Sequence, residues 1–283
     1  MTGWPTTEGS GETMAANGKV TKYVRFAHSG GISYGIWEND AVQELEGSIF
    51  DAVIPTGRRF PANTVNFLVP CEPTKVIAVG LNYASHRVHV ESEEGVFVDV
   101  TGRPVSPKNP VVFAKFPTSL IPAGEDIVFP QDATNVHFEG EMALVIGKKA
   151  KNVSTEDAHK YVFGVTTCND LVDREWLLGD LQWFRAKGAD GFGPIGPSIV
   201  TGLDYNNLRL ETRVNGEVRQ SSSTSELVFS PDRILSYCSR YVTLMPGDVI
   251  FTGTPGKTQQ VLKGDVIEVE IEGIGTLRNA IAR

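Results

Sequence analysis

Two glutamates separated by one residue precede an apolar run in the segment HFEGEMALVIG, residues 137–147. Side chains at i and i+2 of a strand point to the same face, so Glu139 and Glu141 share a face with Ala143. Burying two neighbouring carboxylates is costly unless one is protonated or a cation compensates both charges. The segment therefore indicates a divalent-metal site or, as the simpler alternative, a solvated pair of glutamates at the end of a strand.

A third carboxylate, Asp170, ends a second apolar run, YVFGVTTCND. If the two runs pair in a sheet, Asp170 joins the glutamates. Three carboxylate ligands suit Mg²⁺ or Mn²⁺ better than zinc, and they leave coordination positions open for a chelating substrate. The alternative for Asp170 is a helix N-cap before the segment LVDREW.

Two other residues have side chains suited to catalysis. His86 follows a glycine that ends an apolar strand in KVIAVGLNYASH, and the ordinary pKa of histidine suits proton transfer near neutrality. Lys187 lies in the Gly-rich segment QWFRAKGADGFGP, where its ammonium group can hold a carboxylate or polarise a carbonyl. For each of them, a plain surface position is the simpler interpretation.

Two segments resemble nucleotide-binding motifs but lack their glycines. In GTPGKT, residues 253–258, the first glycine of a P-loop would fall on Phe251. The segment AVGLNY has one glycine where a dinucleotide fingerprint needs three. The sequence predicts no nucleotide site.

Short β-branched and aromatic runs divided by turn residues dominate the chain, which predicts a β-dominated α+β fold. Helices are predicted only over residues 155–160, 173–186 and 231–241. The tetrapeptide Gly-Asp-Val-Ile occurs at 247–250 and 264–267, and each copy is predicted to be a turn that enters a strand.

The composition changes along the chain and predicts three parts. Residues 1–18 read as a flexible extension, residues 19–70 as a small β-rich N-terminal domain and residues 71–283 as the catalytic domain. Residues 91–109 are rich in charge, proline and glycine and predict a mobile loop, for which a lid is one use.

The bulk properties exclude several classes of partner. A net charge of −8 offers no basic surface for nucleic acid. No apolar stretch approaches the roughly 20 residues that span a bilayer, and the first 18 residues lack the features of a secretory signal, so we expect a cytoplasmic protein. The three cysteines are widely spaced within apolar runs and are predicted to be buried free thiols.

Six segments in order resemble the fumarylacetoacetate hydrolase family over about residues 72–283: GLNYASH, EGEMALVIGK, YVFGVTTCNDLVDREW, QWFRAKGADGFGPIGP, VNGEVRQSSSTSELVFS and LMPGDVIFTGTP. The resemblance implies a mixed β-roll catalytic fold with a smaller N-terminal domain. It also implies a homodimer and a small oxo-acid or diketo-acid substrate.

The resemblance assigns roles to individual positions of this chain. The metal ligands, for Mg²⁺ or Mn²⁺, fall on Glu139, Glu141 and Asp170. The residues expected to line the pocket and hold the anionic end of the substrate are Tyr83, Gln182, Lys187 and Thr254. Arg174 matches the arginine that follows the family's metal-binding aspartate, and an ion pair with Glu175 would explain it as well.

Hydrolytic members of the family use a histidine and a glutamate three residues later to activate water. Here the histidine is His86, but position 89 is His89. A nearby carboxylate, Glu91, Glu93 or Glu94, is a hypothetical replacement for that glutamate.

The leading expectation is a hydrolase that cleaves a carbon–carbon bond in an acylpyruvate-like diketo acid through a metal-bound enolate. His86 would activate the water and Lys187 would hold the enolate. The alternatives are an isomerase, tautomerase or decarboxylase of a related 2-oxo acid such as oxaloacetate, and a non-catalytic metal-binding scaffold.

Overall fold

The computed structural model describes residues 19–88 and 108–283. Strands make up 43% and helices 16% of the structure, which confirms the predicted β-dominated α+β fold. The strands are β1 (Thr21–His28), β2 (Gly31–Glu38), β3 (Ala41–Glu46), β4 (Ile54–Pro61), β5 (Asn66–Phe67), β6 (Val76–Gly80), β7 (Val111–Lys115), β8 (Leu120–Pro122), β9 (Val136–His137), β10 (Gly140–Ile146), β11 (Val162–Asn169), β12 (Val172–Asp173), β13 (Gly193–Ile195), β14 (Ile199–Thr201), β15 (Arg209–Val214), β16 (Glu217–Ser223), β17 (Val249–Phe251), β18 (Val266–Ile271) and β19 (Gly275–Ala280).

The α-helices with bounds inside the described residues are α1 (Arg174–Gly179), α2 (Phe184–Gly188) and α3 (Pro231–Tyr241). The predicted bounds of α3 are confirmed, because Ser230 caps its N-terminus and a proline begins its first turn. The helix predicted over 173–186 is instead interrupted, since Trp183 adopts a left-handed conformation with φ 54°. Of the helix predicted over 155–160, only a 3₁₀ turn at Ala158–Tyr161 forms.

A large mixed sheet positions the three carboxylates. Along its main path the order is β4-β3-β2-β1-β14-β11-β10-β17-β6-β7. Strands β10 and β11 pair antiparallel with Gly140 opposite Asn169, so the glutamates of one run meet the aspartate that follows the other. Strand β17 runs parallel to β6, which brings the segments after Gly80 and after Phe251 to the same edge.

A second sheet, ordered β16-β15-β18-β19, packs against the first. The close approach explains the glycine between the two glutamates. A Cβ atom on Gly140 would lie 2.1 Å from Oγ1 of Thr212 in β15, so any larger residue would push the sheets apart. Every residue of β10 is buried.

Strands β1–β5 form the N-terminal part of the large sheet, because β1 pairs with β14. The boundary proposed near residue 70 stays a prediction. The predicted extension at 1–18 and nearly all of the loop predicted at 91–109, with Glu91, Glu93 and Glu94, lie outside the described residues, as does His89.

Other local predictions are confirmed. The three cysteines are buried and unpaired. Both copies of Gly-Asp-Val-Ile form a turn that enters a strand, β17 in one case and β18 in the other. Within residues 19–88 and 108–283, no helix has the length and apolar character needed to cross a bilayer.

Candidate metal centre

The carboxylates of Glu139, Glu141 and Asp170 converge. One oxygen atom from each lies within 4.8 Å of the others. All three residues are buried, with 6% or less of their surface exposed. The register of β10 and β11 produces this arrangement, so the solvated pair of glutamates that the sequence left open does not form.

Each carboxylate has a different set of partners. Lys187 Nζ donates to Oε2 of Glu139 at 2.6 Å and to Oδ2 of Asp170 at 2.9 Å. The backbone amide of Gly253 donates to Oε2 of Glu141 at 2.7 Å. Lys187 therefore compensates Glu139 and Asp170, whereas Glu141 is held by a neutral donor.

Their pKa values differ accordingly. Burial and the charges of Asp170 and Glu139 raise the pKa of Glu141 well above its ordinary value. Burial also acts to raise the pKa of Glu139, but the positive charges of Lys187 and Arg174 outweigh it, and the pKa is lowered. The opposite shifts indicate that Lys187 and Arg174 compensate Glu139, whereas Glu141 remains in the field of its negative neighbours.

This donor set fits a divalent cation. Three buried carboxylate oxygens are the ligands that Mg²⁺ and Mn²⁺ prefer. Oδ1 of Asp170 lies 2.8 Å from Lys115 Nζ but accepts no well-directed hydrogen bond, so it retains capacity for another partner. A cation at this point would offset the negative charge that raises the pKa of Glu141.

Lys115, at the end of β7, is a site residue that the sequence interpretation missed. Its side chain is fully buried, and its ammonium group pairs with Asp170 and donates to the backbone carbonyl of Lys187. The sequence did contain a signal for this residue, a lysine within the strongly apolar run VVFAKF. Lysine is rarely buried without a partner, so this position indicated a buried ion pair.

Replacing Lys115 with methionine is expected to lower the free energy of unfolding by about 2 kcal/mol, since a charged hydrogen-bond donor inside the protein is lost. Urea unfolding monitored by circular dichroism measures the change. Lys263→Met is the matched control, because Lys263 is exposed, and it should leave the unfolding midpoint unchanged. Equal midpoints for the two variants would contradict a structural role for the buried ion pair.

His86 faces the same centre with a defined proton position. Its Nδ1 lies 2.7 Å from the backbone oxygen of Gly256, which can only accept, so Nδ1 carries the proton and Nε2 is the basic nitrogen of the neutral ring. Burial lowers the pKa of His86, although Glu139 opposes the shift. A neutral imidazole at neutral pH is suited to act as a base.

Two polar residues complete this side of the site. Arg174 Nη2 donates to Thr258 Oγ1 at 2.9 Å. Thr254 Oγ1 donates to the backbone oxygen of Gly140 and accepts from Gln220, each at 2.9 Å. Thr254 thereby fixes the loop after β17 against the segment that carries the glutamates.

A cleft of about 410 Å³, its open mouth included, brings most of the expected residues together. The predicted site residues that line it are His86, Glu139, Glu141, Arg174, Lys187 and Thr254. Asp170 lies beneath this lining. Tyr83 is buried next to Glu141, whose charge, after burial itself, raises the pKa of the phenol.

The structure does not bring Gln182 into the cleft. Gln182 is exposed on the turn between α1 and α2, and its substrate contact remains an untested prediction. Leu177 and Trp183, from the same region, line the cleft instead, together with Leu81 and Phe113. The sequence interpretation missed these four apolar residues because they come from separate segments of the chain, and no local pattern shows which of their side chains face one cleft.

The backbone near two of these apolar residues is strained. Leu81 and Trp183 have φ values of 57° and 54°, a region that costs a residue with a side chain roughly 1–3 kcal/mol. Asn82 anchors the backbone beside Leu81. Its side chain donates to the backbone oxygens of Phe229 and Thr252 and accepts from the amide of Phe229. Strain retained by such anchoring is common at functional sites.

The second glycine with a structural requirement is Gly253. Its φ is +107°, and a Cβ atom there would lie 2.6 Å from Cβ of Asn82. Only glycine fits this position without displacing the Asn82 turn. The same residue supplies the amide that holds Glu141, so the turn after β17 and the carboxylate centre depend on each other.

The mixed sheet and its buried carboxylate cluster define the class of protein: a β-dominated fold with a candidate metal centre at one cleft. Residues 75–282 match the family described as fumarylacetoacetate (FAA) hydrolase C-terminal, and residues 21–70 match Rv2993c-like, N-terminal. The chain belongs to the fumarylacetoacetate hydrolase family, as its motifs predicted.

Similar proteins include enzymes with different reactions. The chain is 40% identical to the oxaloacetate tautomerase Fahd2a, mitochondrial, of Rattus norvegicus, over 78% of this chain and 71% of the relative. The crystal structure of 5-carboxymethyl-2-hydroxymuconate delta-isomerase from Mycobacterium smegmatis has a TM-score of 0.84 and 39% identity, covering 93% and 99% of the two chains. Maleylpyruvate hydrolase from Sphingobium sp. SYK-6, in complex with manganese (II) ion and pyruvate, has a TM-score of 0.72 and 25% identity, covering 92% and 98%.

Proposed function

We propose that this chain is a divalent-metal-dependent enzyme that moves a proton at the carbon next to the carbonyl of a 2-oxo acid, as a tautomerase or isomerase. The convergence of the His86 base and the Glu139, Glu141 and Asp170 carboxylates in one cleft carries the proposal. The three carboxylates would hold Mg²⁺ or Mn²⁺. A bound divalent cation would stabilise the negative charge that develops on the oxo oxygen.

The charges around the cleft favour an anionic substrate. The three carboxylates are matched by three cationic side chains, those of Lys115, Lys187 and Arg174. A divalent cation would therefore leave these described residues with a positive excess of two. A 2-oxo acid with a single carboxylate carries one negative charge and gains a second when it loses a proton to become an enolate, which matches that excess.

The chain's own residues would perform the proton transfer. His86 Nε2 takes the proton from the carbon next to the carbonyl, and the bonding electrons move to the oxo oxygen. His86 then returns the proton to carbon or to oxygen, which yields the other tautomer or a shifted double bond. Lys187 keeps Glu139 and Asp170 in place, and the positive charge of its ammonium group would favour the developing negative charge.

Hydrolytic cleavage of a carbon–carbon bond in an acylpyruvate is the second candidate. The similarity to a maleylpyruvate hydrolase bound to manganese and pyruvate favours it. It would use the same base to activate water. We rank it second because tautomerisation requires only the proton transfer that the described residues can perform, and because the isomerase and tautomerase relatives are more similar in sequence.

Two substrates separate these reactions. The Mg²⁺-loaded protein is incubated with oxaloacetate and with acetylpyruvate, and the enol absorbance and the NMR spectrum of each solution are followed beside a chelator-treated control. Metal-dependent acceleration of the enol-to-keto conversion of oxaloacetate, with all carbon retained, is the expected result. Acetate and pyruvate from acetylpyruvate would establish hydrolysis, and pyruvate with carbon dioxide from oxaloacetate would establish decarboxylation.

A fourth result would contradict both proposals. If Mn²⁺ raises the unfolding temperature but neither acid changes faster than in the chelator-treated control, the chain would be a metal-binding scaffold. His86→Gln serves as an internal comparison, because it removes the base and keeps an amide that can donate to Gly256.

A further inference from the structure

Four apolar side chains cover one side of the cleft. Leu81 follows β6, Phe113 lies in β7, Leu177 lies in α1 and Trp183 precedes α2. The rings of Phe113 and Trp183 meet edge to face with centroids 5.3 Å apart. Together these four residues, which we call the apolar wall, come from separate segments of the chain and form one surface.

The apolar wall lies directly beside the candidate reaction centre. Lys187 Nζ is 5.4 Å from the centre of the Phe113 ring. The charge of Arg174, the other cation that lines the cleft, acts on Glu139 and His86, so it belongs to the carboxylate side. The charged and the apolar residues of the cleft therefore adjoin at Lys187 and, about one turn apart on α1, at Arg174 and Leu177.

We infer that the apolar wall determines specificity and binds an alkyl or aryl arm of the substrate, next to the 2-oxo acid end held in the charged half. The reaction assigned to that end rests on the proposed function. The two strained residues, Leu81 and Trp183, are both in the wall, which indicates that their side chains are held in the cleft by the surrounding structure.

The wall discriminates against a second carboxylate. An alkyl arm gains from leaving water, whereas a carboxylate pressed against Leu177 and Trp183 loses hydration. Among the described residues that line the cleft, the cations nearest to it, Lys187 and Arg174, already donate to Glu139, Asp170 and Thr258. Among 2-oxo acids of similar length, a monocarboxylate should bind more tightly than a dicarboxylate. The preferred substrate class is a 2-oxo acid with an apolar arm.

The binding test uses 2-oxobutanoate, 2-oxohexanoate and 2-oxoglutarate as probes for the Mg²⁺-loaded protein, measured by calorimetry. Two additional methylene groups are expected to raise the affinity roughly tenfold from 2-oxobutanoate to 2-oxohexanoate. 2-Oxohexanoate is expected to bind at least tenfold more tightly than 2-oxoglutarate. Equal affinities for 2-oxobutanoate and 2-oxohexanoate would overturn the inference, and so would 2-oxoglutarate as the most tightly bound probe.

Substitutions in the apolar wall and beside it test whether the wall causes the gain in affinity with alkyl length. Trp183→Ala is expected to reduce the tenfold gain in affinity from 2-oxobutanoate to 2-oxohexanoate to about threefold or less. Phe113→Leu is measured in its place if Trp183→Ala fails to fold. Leu178→Ala is the matched control, because Leu178 neighbours Leu177 but is 64% exposed outside the cleft. It should retain the full gain. Equal gains in Trp183→Ala, Phe113→Leu and Leu178→Ala would overturn the inference.

The same samples separate this inference from the proposed reaction. Exchange of the carbon-3 protons of each probe with D₂O, followed by NMR, reports proton transfer independently of affinity. Affinities that rise with the length of the alkyl arm, without metal-dependent proton exchange, would support the specificity of the apolar wall and contradict the proposed tautomerase activity. Exchange of all three probes with equal affinities would support the reaction and overturn the specificity.

Discussion

Replacing Glu141 with glutamine should change the stability of the protein in opposite directions with and without metal. In the metal-free protein, Glu141 is buried beside Asp170 and Glu139, and the raised pKa of its carboxyl group means that ionising this group opposes folding. Glutamine removes the charge, and its carbonyl can still accept from the amide of Gly253. The free energy of unfolding of the chelator-treated variant should therefore exceed that of the wild type.

With metal the order should reverse. A ligand present at one hundred times its dissociation constant stabilises a folded protein by about 2.7 kcal/mol, and the wild type should gain this from Mn²⁺. The variant has lost one of three ligands and should gain little, and its turnover should fall with its affinity for Mn²⁺. Urea unfolding with Mn²⁺ and with chelator, together with calorimetry of Mn²⁺ binding, measures both effects.

The pH dependence gives an independent check on the metal-free comparison. Because the folded-state pKa of Glu141 is raised, its unfavourable contribution is present above that pKa and disappears as the pH falls through it toward the ordinary value of 4.5. The excess in free energy of unfolding of metal-free Glu141→Gln over the metal-free wild type should shrink over the same pH range. Glu125→Gln, at an exposed position, is the control and should differ little from the wild type. Normal Mn²⁺ affinity in Glu141→Gln would exclude this carboxylate as a ligand.

The second large effect is expected at His86. His86→Gln should lower kcat by about 10²–10⁴-fold, the usual contribution of a positioned general base, and leave Mn²⁺ affinity unchanged. Glutamine can retain the hydrogen bond to the backbone oxygen of Gly256 but cannot accept a proton from substrate. Steady-state kinetics with the substrate found active and calorimetry with Mn²⁺ measure the two properties separately.

The pH profile of the wild type should reflect the same residue. Burial lowers the pKa of His86 below its ordinary 6.5, so the neutral base persists at pH values below 6.5. On the acid side of the pH profile, kcat/KM should therefore decline only at pH values below 6.5. This decline should be absent in a variant that uses another base. His159→Gln, exposed on the surface, controls for the loss of a histidine. A His86→Gln enzyme with wild-type kcat would remove His86 from the mechanism.

The strand-forming segments and the residues of the carboxylate cluster were predictable from the sequence. Alternation along a strand is a local property, so Glu139 and Glu141 could be assigned to one face, and the apolar run that follows them indicated burial. Asp170 was a third candidate because it ends a second apolar run, and the family motifs then assigned it the same role. The bounds of α3 were predictable because a capping serine, a following proline and an amphipathic run all agree over a few residues.

The tertiary structure decided which residues meet these carboxylates. Lys115 reaches Asp170 from a strand 55 positions earlier in the chain, and no local pattern specifies that contact. The interruption of the predicted helix at Trp183 placed Leu177 and Trp183 in the cleft and left Gln182 exposed, since packing against Phe113 outweighed helical propensity. The opposite pKa shifts of Glu139 and Glu141 likewise depend on Lys187, which approaches only one of the two glutamates closely. Local periodicity determines the face of a strand on which a side chain lies, whereas its partners are set by non-local packing.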